Sequence, residues 1–407
     1  MTEFNSISIE VDARESDNLS LLESEVSRKW SWKKRGCCCL MTTPLLFVLA
    51  FFLAFIFIAY IPIENPLPVP DWAGGDHTVD ELMVEVGGFY KENGDQRAWA
   101  FFPSDGVEGE TFPLISFSHG DGGGGFLLHW AFNGILRAVA AHGFVVMAHR
   151  SCFWPWDCTS EGESWMAGRG GGEQWRDQVR VLEWGSGEVG EKELSTEGSH
   201  VYNLIDREKP MGVFGQSTGG RTSIQVAAAV SEGERGNYWN LVKNVCIGAS
   251  VALHPDPCVG EVDGWLHGDC DRAEAITGTF PYAVFTSSGD TTEPEGSSLK
   301  NYEEATTVNK AFASIIGIEH IKGTGPIWGV YTAAYFHVFL NGIERDDYYY
   351  DLIYGEGSRS LCGVNKDEEF MLDDHPICSV LDFNRTMSVD NNNGTVTRPI
   401  WCSGGSN

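Results

Sequence analysis

Ser217, Asp290 and His320 have the types and chain order needed for nucleophilic catalysis. Ser217 stands in Gly215-Gln216-Ser217-Thr218-Gly219, after the apolar run 211–214 and before an Ala- and Val-rich stretch with helical spacing. A strand that turns sharply into a helix lifts the serine hydroxyl clear of the sheet, and flanking glycines allow the close backbone approach this requires. The helix start adds unpaired N–H groups and a positive dipole end, making the Thr218 N–H a candidate oxyanion donor. A serine hydroxyl needs a base, and the base an orienting carboxylate. Asp290 follows the strand-like run 282–286 and His320 ends the run 314–319. Both therefore project from carboxyl ends of adjacent strands, where open α/β sheets place their sites. Asp256, in His254-Pro255-Asp256-Pro257, is the alternative acid and Glu293 a weaker one. His337 lies inside the helical pattern 327–340 and reads as a packed residue rather than the base.

The serine motif is short enough to arise by chance in a chain with 48 glycines, so the surrounding elements carry the case. Strand-like runs at 82–86, 98–102, 114–118, 143–147, 211–214, 244–251, 282–286 and 314–318 alternate with helical patterns at 127–141, 173–184, after 217, and at 327–340. That alternation predicts an α/β fold with a mostly parallel sheet and helices on both faces. The run 114–118 leads into His119-Gly120-Asp121-Gly122-Gly123-Gly124-Gly125, a loop whose Asp121 N–H is the second candidate oxyanion donor. The same glycines fit a dinucleotide fingerprint. The following strand, however, ends in His149-Arg150 where an acidic ribose ligand is expected, and the fingerprint leaves Ser217, Asp290 and His320 unexplained. No cofactor is expected. No metal is expected either: His254, Asp256, His267, Asp269 and Cys270 follow no known ligand spacing. Trp154 and Trp156, between Cys152 and Cys158, fit an apolar acyl pocket as well as simple packing of a disulfide-closed loop.

Five regions are expected: a polar cytosolic tail (1–39), an apolar segment (40–63), a proline-rich stalk (64–79), the α/β domain (80–345) and a Cys-containing C-terminal extension (346–407). Residues 40–63 carry no charge and are long enough to span a bilayer as a helix. Arg28, Lys29, Lys33, Lys34 and Arg35 precede that segment and Glu64, Asp71 and Asp76 follow it, so the positive-inside rule predicts a type II signal anchor with the α/β domain lumenal or extracellular. Asp17-Asn18-Leu19-Ser20-Leu21-Leu22 resembles an acidic dileucine sorting signal for lysosomes or vacuoles. Cys37, Cys38 and Cys39 fit S-palmitoylation at the cytosolic face. Eight cysteines follow the span, with Cys152/Cys158, Cys258/Cys270 and Cys362/Cys378 as near-neighbour pairs, while Cys246 reads equally as disulfide-bonded or as a buried thiol. Asn384 and Asn393 open glycosylation sequons on the same side. The net charge of -29 argues against nucleic acid as a partner.

Phe117-Ser118-His119-Gly120, Ala141-His142-Gly143-Phe144-Val145-Val146, and Asp206-Arg207-Glu208-Lys209 leading to Gly215-Gln216-Ser217-Thr218-Gly219-Gly220 resemble the α/β-hydrolases that include platelet-activating-factor acetylhydrolases, chlorophyllases and cutinase-like polyester hydrolases. The resemblance covers roughly residues 80–345, by motif rather than by continuous identity. It implies the α/β-hydrolase fold and a serine ester hydrolase. Ser288-Gly289-Asp290-Thr291-Thr292-Glu293-Pro294 is similar to the acid loop of the cutinase-like branch, whereas the acetylhydrolase branch favours Asp256. Many relatives have His before the nucleophile, where this chain has Gln216. A membrane-tethered enzyme of this kind would take a lipid or other apolar ester as substrate. The alternative is a non-catalytic binding protein that retains the hydrolase fold.

Overall fold

The computed structural model describes residues 74–86, 97–120, 127–149, 169–187, 196–236, 239–256, 273–315, 320, 325–342, 348–355, 359–361 and 378–380, all within the compact unit Asn65–Asn407. The strands are β1 (Val79–Glu85), β2 (Arg97–Pro103), β3 (Leu114–Ser118), β4 (Val145–His149), β5 (Met211–Gln216), β6 (Ile247–Leu253), β7 (Tyr282–Ser287), β8 (Lys310–Ile315) and β9 (Cys378–Val380). The helices are α1 (Leu127–Ala141), α2 (Arg169–Ser186), α3 (Thr196–Asn203), α4 (Thr218–Glu232), α5 (Trp239–Val242), α6 (Glu295–Glu304), α7 (Pro326–Leu340) and α8 (Tyr348–Tyr354).

All nine strands join one sheet in the order β1-β2-β4-β3-β5-β6-β7-β8-β9. From β4 through β8 every neighbouring pair is parallel. β2 runs antiparallel to both β1 and β4, and β9 antiparallel to β8. The central strands are apolar along their length because helices cover both faces, and their side chains alternate between two cores. Val146, Ala148 and Phe214 face the layer formed with α1 and α7. Val145, Met147, Met211 and Val213 face the layer that holds α2 and α4. Fully burying an aromatic or aliphatic side chain of this kind contributes about 1.5–3 kcal/mol. α7 is apolar on nearly every side because it lies between the sheet, α1 and α8. One buried polar residue fastens the layers: Gln178 of α2 donates to Ser116 O of β3 at 3.1 Å and Phe214 O of β5 at 2.9 Å.

The expected mostly parallel sheet with helices is present. Several strand ends differ from the sequence reading: β1 begins three residues earlier, at Val79, and β6 is shifted to Ile247–Leu253, while the shifts of β4 and β8 have identifiable physical causes. β4 runs two residues further, to His149, and begins beyond Gly143, whose φ of 86° belongs to the preceding turn. β8 begins at Lys310 and not at 314. A lysine is a poor opening for a buried strand, but the Lys310 ammonium donates to Tyr302 O at 2.9 Å and Ala305 O at 2.6 Å, at the carboxyl end of α6. Helices α3, α5, α6 and α8 are not among the helices expected from sequence. The boundary placed at 345 does not divide the sheet, since α8 packs on α7 and β9 pairs with β8.

Among the described residues no helix is long and apolar enough to cross a membrane. The segment 40–63 expected to do so lies outside them, as do Asn384, Asn393, Trp154, Trp156 and the cysteines other than Cys246 and Cys378. Cys246, just before β6, is disulfide-bonded.

Candidate active site

The turn between β5 and α4 is a wedge between the ends of β3 and β6. A Cβ on Gly215 would come within 2.2 Å of Gly219 O, and one on Gly219 within 2.0 Å of Ser118 O, so neither position accepts a side chain. Ser217, 7% exposed, has φ 58° and ψ −125°, a conformation that costs a non-glycine residue energy and that the surroundings must impose. Three backbone hydrogen bonds impose it. Ser217 N donates to Leu253 O at 2.9 Å, while Ser217 O accepts from Arg221 N at 3.1 Å and from Asp256 N at 3.2 Å. Thr218 is the first residue of α4, so its N–H has no acceptor inside the helix. Asp121, the other expected oxyanion donor, lies outside the described residues.

Asp290 follows β7 and is buried. Its Oδ2 accepts from His320 Nδ1 at 2.7 Å, and its Oδ1 from Thr292 N at 2.9 Å and Glu293 N at 2.7 Å. Burial alone would raise its pKa. The hydrogen bonds from His254, His320 and the Glu293 amide outweigh burial and hold the carboxyl well below the usual carboxylate range. Asp290 is therefore an anion, able to stabilise a protonated His320.

Among the described residues no hydrogen bond or ion pair joins Asp256 to His320. Its carboxylate pairs with the Arg221 guanidinium at 3.0 Å, and its amide braces Ser217 O. Glu293 contributes its amide to Asp290. His337 is packed in α7: Nε2 donates to His142 O at 2.6 Å, Nδ1 accepts from Asn341 Nδ2 at 2.8 Å, and the ring stacks on Tyr349 at 3.9 Å. Burial depresses its pKa to about 4. Of the sequence candidates, the structure thus brings Asp290 and His320 into contact and leaves Asp256 and His337 in other networks.

Two residues near this pair were not anticipated in their roles. Gln216 Nε2 donates to His320 Nε2 at 3.1 Å, the atom a base would use; no hydrogen bond among the described residues joins that atom to Ser217. With Nδ1–H engaged by Asp290, Nε2 holds a lone pair, so the amide must be the donor. His254, immediately after β6, has no functional role in the sequence reading, which finds no metal-ligand spacing around it; it places Nδ1 2.9 Å from Asp290 Oδ2. Its position at the carboxyl edge of a core strand was the available signal. His254, Asp290 and His320 each offer a ligand atom within 4.8 Å of the others, a donor set a transition metal could also use. The two Nδ1 atoms at 2.7 and 2.9 Å from one carboxylate oxygen match two N–H donors and one ionised acceptor. His267, Asp269 and Cys270 lie outside the described residues.

Comparison with known protein families and with curated proteins finds no match for this chain.

Proposed function

We propose that the protein is a serine hydrolase of carboxylic esters, anchored in a membrane by residues 40–63, with an α/β-hydrolase fold. The observation that carries the reading is the Asp290–His320 hydrogen bond of 2.7 Å at the edge of the sheet where Ser217 is held in a strained strand-to-helix turn. The chain order Ser217, Asp290, His320 and the glycine-rich loop after β3 agree with the resemblance to α/β-hydrolases.

In this mechanism Gln216 releases His320 Nε2 as substrate enters, and His320 takes the Ser217 proton while Ser217 Oγ attacks the ester carbonyl. Negative charge on the carbonyl oxygen is met by the Thr218 N–H and an N–H of the loop after Gly120, assigned to Asp121. The imidazolium, stabilised by Asp290, protonates the departing alcohol and leaves an acyl-Ser217. Water activated by His320 then releases the acid. Tethering to a bilayer favours lipid or other apolar esters. No metal or cofactor has a step in this scheme.

The Gln216 contact on His320 Nε2 favours a second reading, in which the fold is kept for binding alone. A fluorophosphonate probe separates the two. Full-length protein in detergent is expected to label, and Ser217→Ala to lose the label; a folded wild-type protein that does not label overturns the enzymatic reading.

A further inference from the structure

The acid of the proposed triad carries more hydrogen bonds than orienting one histidine requires. His254 and His320 both direct Nδ1 at the same oxygen, Asp290 Oδ2, at 2.9 and 2.7 Å. The two rings meet edge to face, with centroids 5.7 Å apart. His254 is wholly buried, its side chain 0% exposed. Its backbone has φ 43°, and its amide donates to Phe285 O at 2.7 Å. Besides Ser217 it is the other non-glycine residue with positive φ among the described residues. Such conformations persist only where the surroundings over-determine them.

The tautomer of His254 follows from its surroundings. Nε2 is buried with no hydrogen-bond partner among the described residues. A proton there would be an orphaned buried donor, whereas a bare lone pair costs less, so the proton resides on Nδ1 and is donated to Asp290. A doubly protonated ring would bury that same unpaired N–H, so His254 stays neutral. Desolvation by burial agrees in direction: it lowers the pKa, outweighing the pull of Asp290.

The segment carrying His254 also grips the nucleophile. Leu253 O accepts from Ser217 N at 2.9 Å, and Asp256 N donates to Ser217 O at 3.2 Å. Within four consecutive residues, Leu253 and Asp256 thus bond the Ser217 backbone and His254 bonds the Asp290 carboxylate. We propose that His254 is a positioning residue, a second imidazole that holds the Asp290 carboxylate in register with Ser217 so that Asp290 can orient His320. The proposal rests on the triad assignment above. His254 touches neither substrate nor the reacting atoms; it acts by fixing one carboxylate oxygen while the Thr292 and Glu293 amides fix the other.

The test has two arms on full-length protein in detergent. In the first, His254→Phe keeps a ring but removes the donor, and His254→Asn keeps a donor near the Nδ1 position and tolerates positive φ. For His254→Phe, kcat is expected to fall about 10- to 100-fold, the loss typical of one hydrogen bond to a charged group, with KM little changed. His254→Asn is expected to recover most of the loss. The second arm needs no turnover: proton NMR of 15N-histidine-labelled protein should show two low-field imidazole N–H signals. One should disappear in His254→Phe and both in Asp290→Ala. Retention of both signals in His254→Phe, or a folded His254→Asn no more active than His254→Phe, overturns the proposal. So does stoichiometric Zn2+ that binds and removes both signals, since the same atoms would then be metal ligands. Two signals in a protein that never labels with fluorophosphonate would instead support the His254 contact and refute the enzymatic reading.

Discussion

Asp256 and Asp290 follow adjacent parallel strands, β6 and β7, at the same edge of the sheet, and their partners set them apart. Asp256 faces the Arg221 guanidinium at 3.0 Å, while Asp290 faces two imidazoles at 2.7 and 2.9 Å. An arginine keeps its proton at any working pH, so its pair with Asp256 can only brace structure. An imidazole exchanges its proton near neutrality, so a carboxylate beside it can support proton transfer. Two carboxylates of one chemistry are thus divided by the residue opposite each. His320 and His337 differ in the same way, the first against a carboxylate and the second against a backbone carbonyl.

The strongest way to break the contrast is to remove each carboxylate in turn. Asp290→Ala is expected to lower kcat about 10³- to 10⁴-fold on a short-chain nitrophenyl ester, a loss of triad size. Asp256→Ala should keep kcat near wild type, and the opposite ranking would exchange their roles. Stability should rank them the other way. Asp256→Ala removes the carboxylate 3.0 Å from the Arg221 guanidinium, whose side chain is 4% exposed, and should cost about 1–3 kcal/mol in urea unfolding. The cost stays below that of breaking a fully buried pair because 17% of the Asp256 side chain meets solvent.

The smallest effect sharpens the contrast between the histidines. The folded pKa of His337, about 4, lies below its ordinary value of 6.5, so the unfolded chain binds the extra proton first as pH falls. Its contribution is complete above 6.5 and is lost as pH drops through that window toward about 4. Over the first pH unit below 6.5, His337→Gln should therefore lose about 1 kcal/mol less stability than wild type in denaturant titrations. An unchanged pH slope would show that His337 is not held neutral by burial.

Much of the site was legible because its parts lie at points where local pattern changes. Ser217 follows an apolar run and precedes a helical one, and Asp290 stands where a β-rich run gives way to Ser, Gly and Thr. His254 shares that kind of place, yet in His254-Pro255-Asp256-Pro257 the sequence offers only Asp256, as the alternative acid, and otherwise reads as a turn. Lys310 shows the converse error at an element boundary: a charge that argues against a buried strand is satisfied by carbonyls at the end of α6, which no local pattern encodes.

The sequence by itself determined the α/β alternation and the positions of Ser217, Asp290 and His320, because strand and helix periods and glycine-flanked turns are short-range properties. Tertiary structure alone decided which carboxylate meets which cation. Asp256 and Asp290 both follow core strands, and only the packing of α4 against β6 puts Arg221 opposite one and leaves the other to His254 and His320. Hydrogen bonds reach about 3 Å, while the groups they join here are separated by 30 to 36 residues of chain, so their pairing is fixed by the folded sheet and not by spacing.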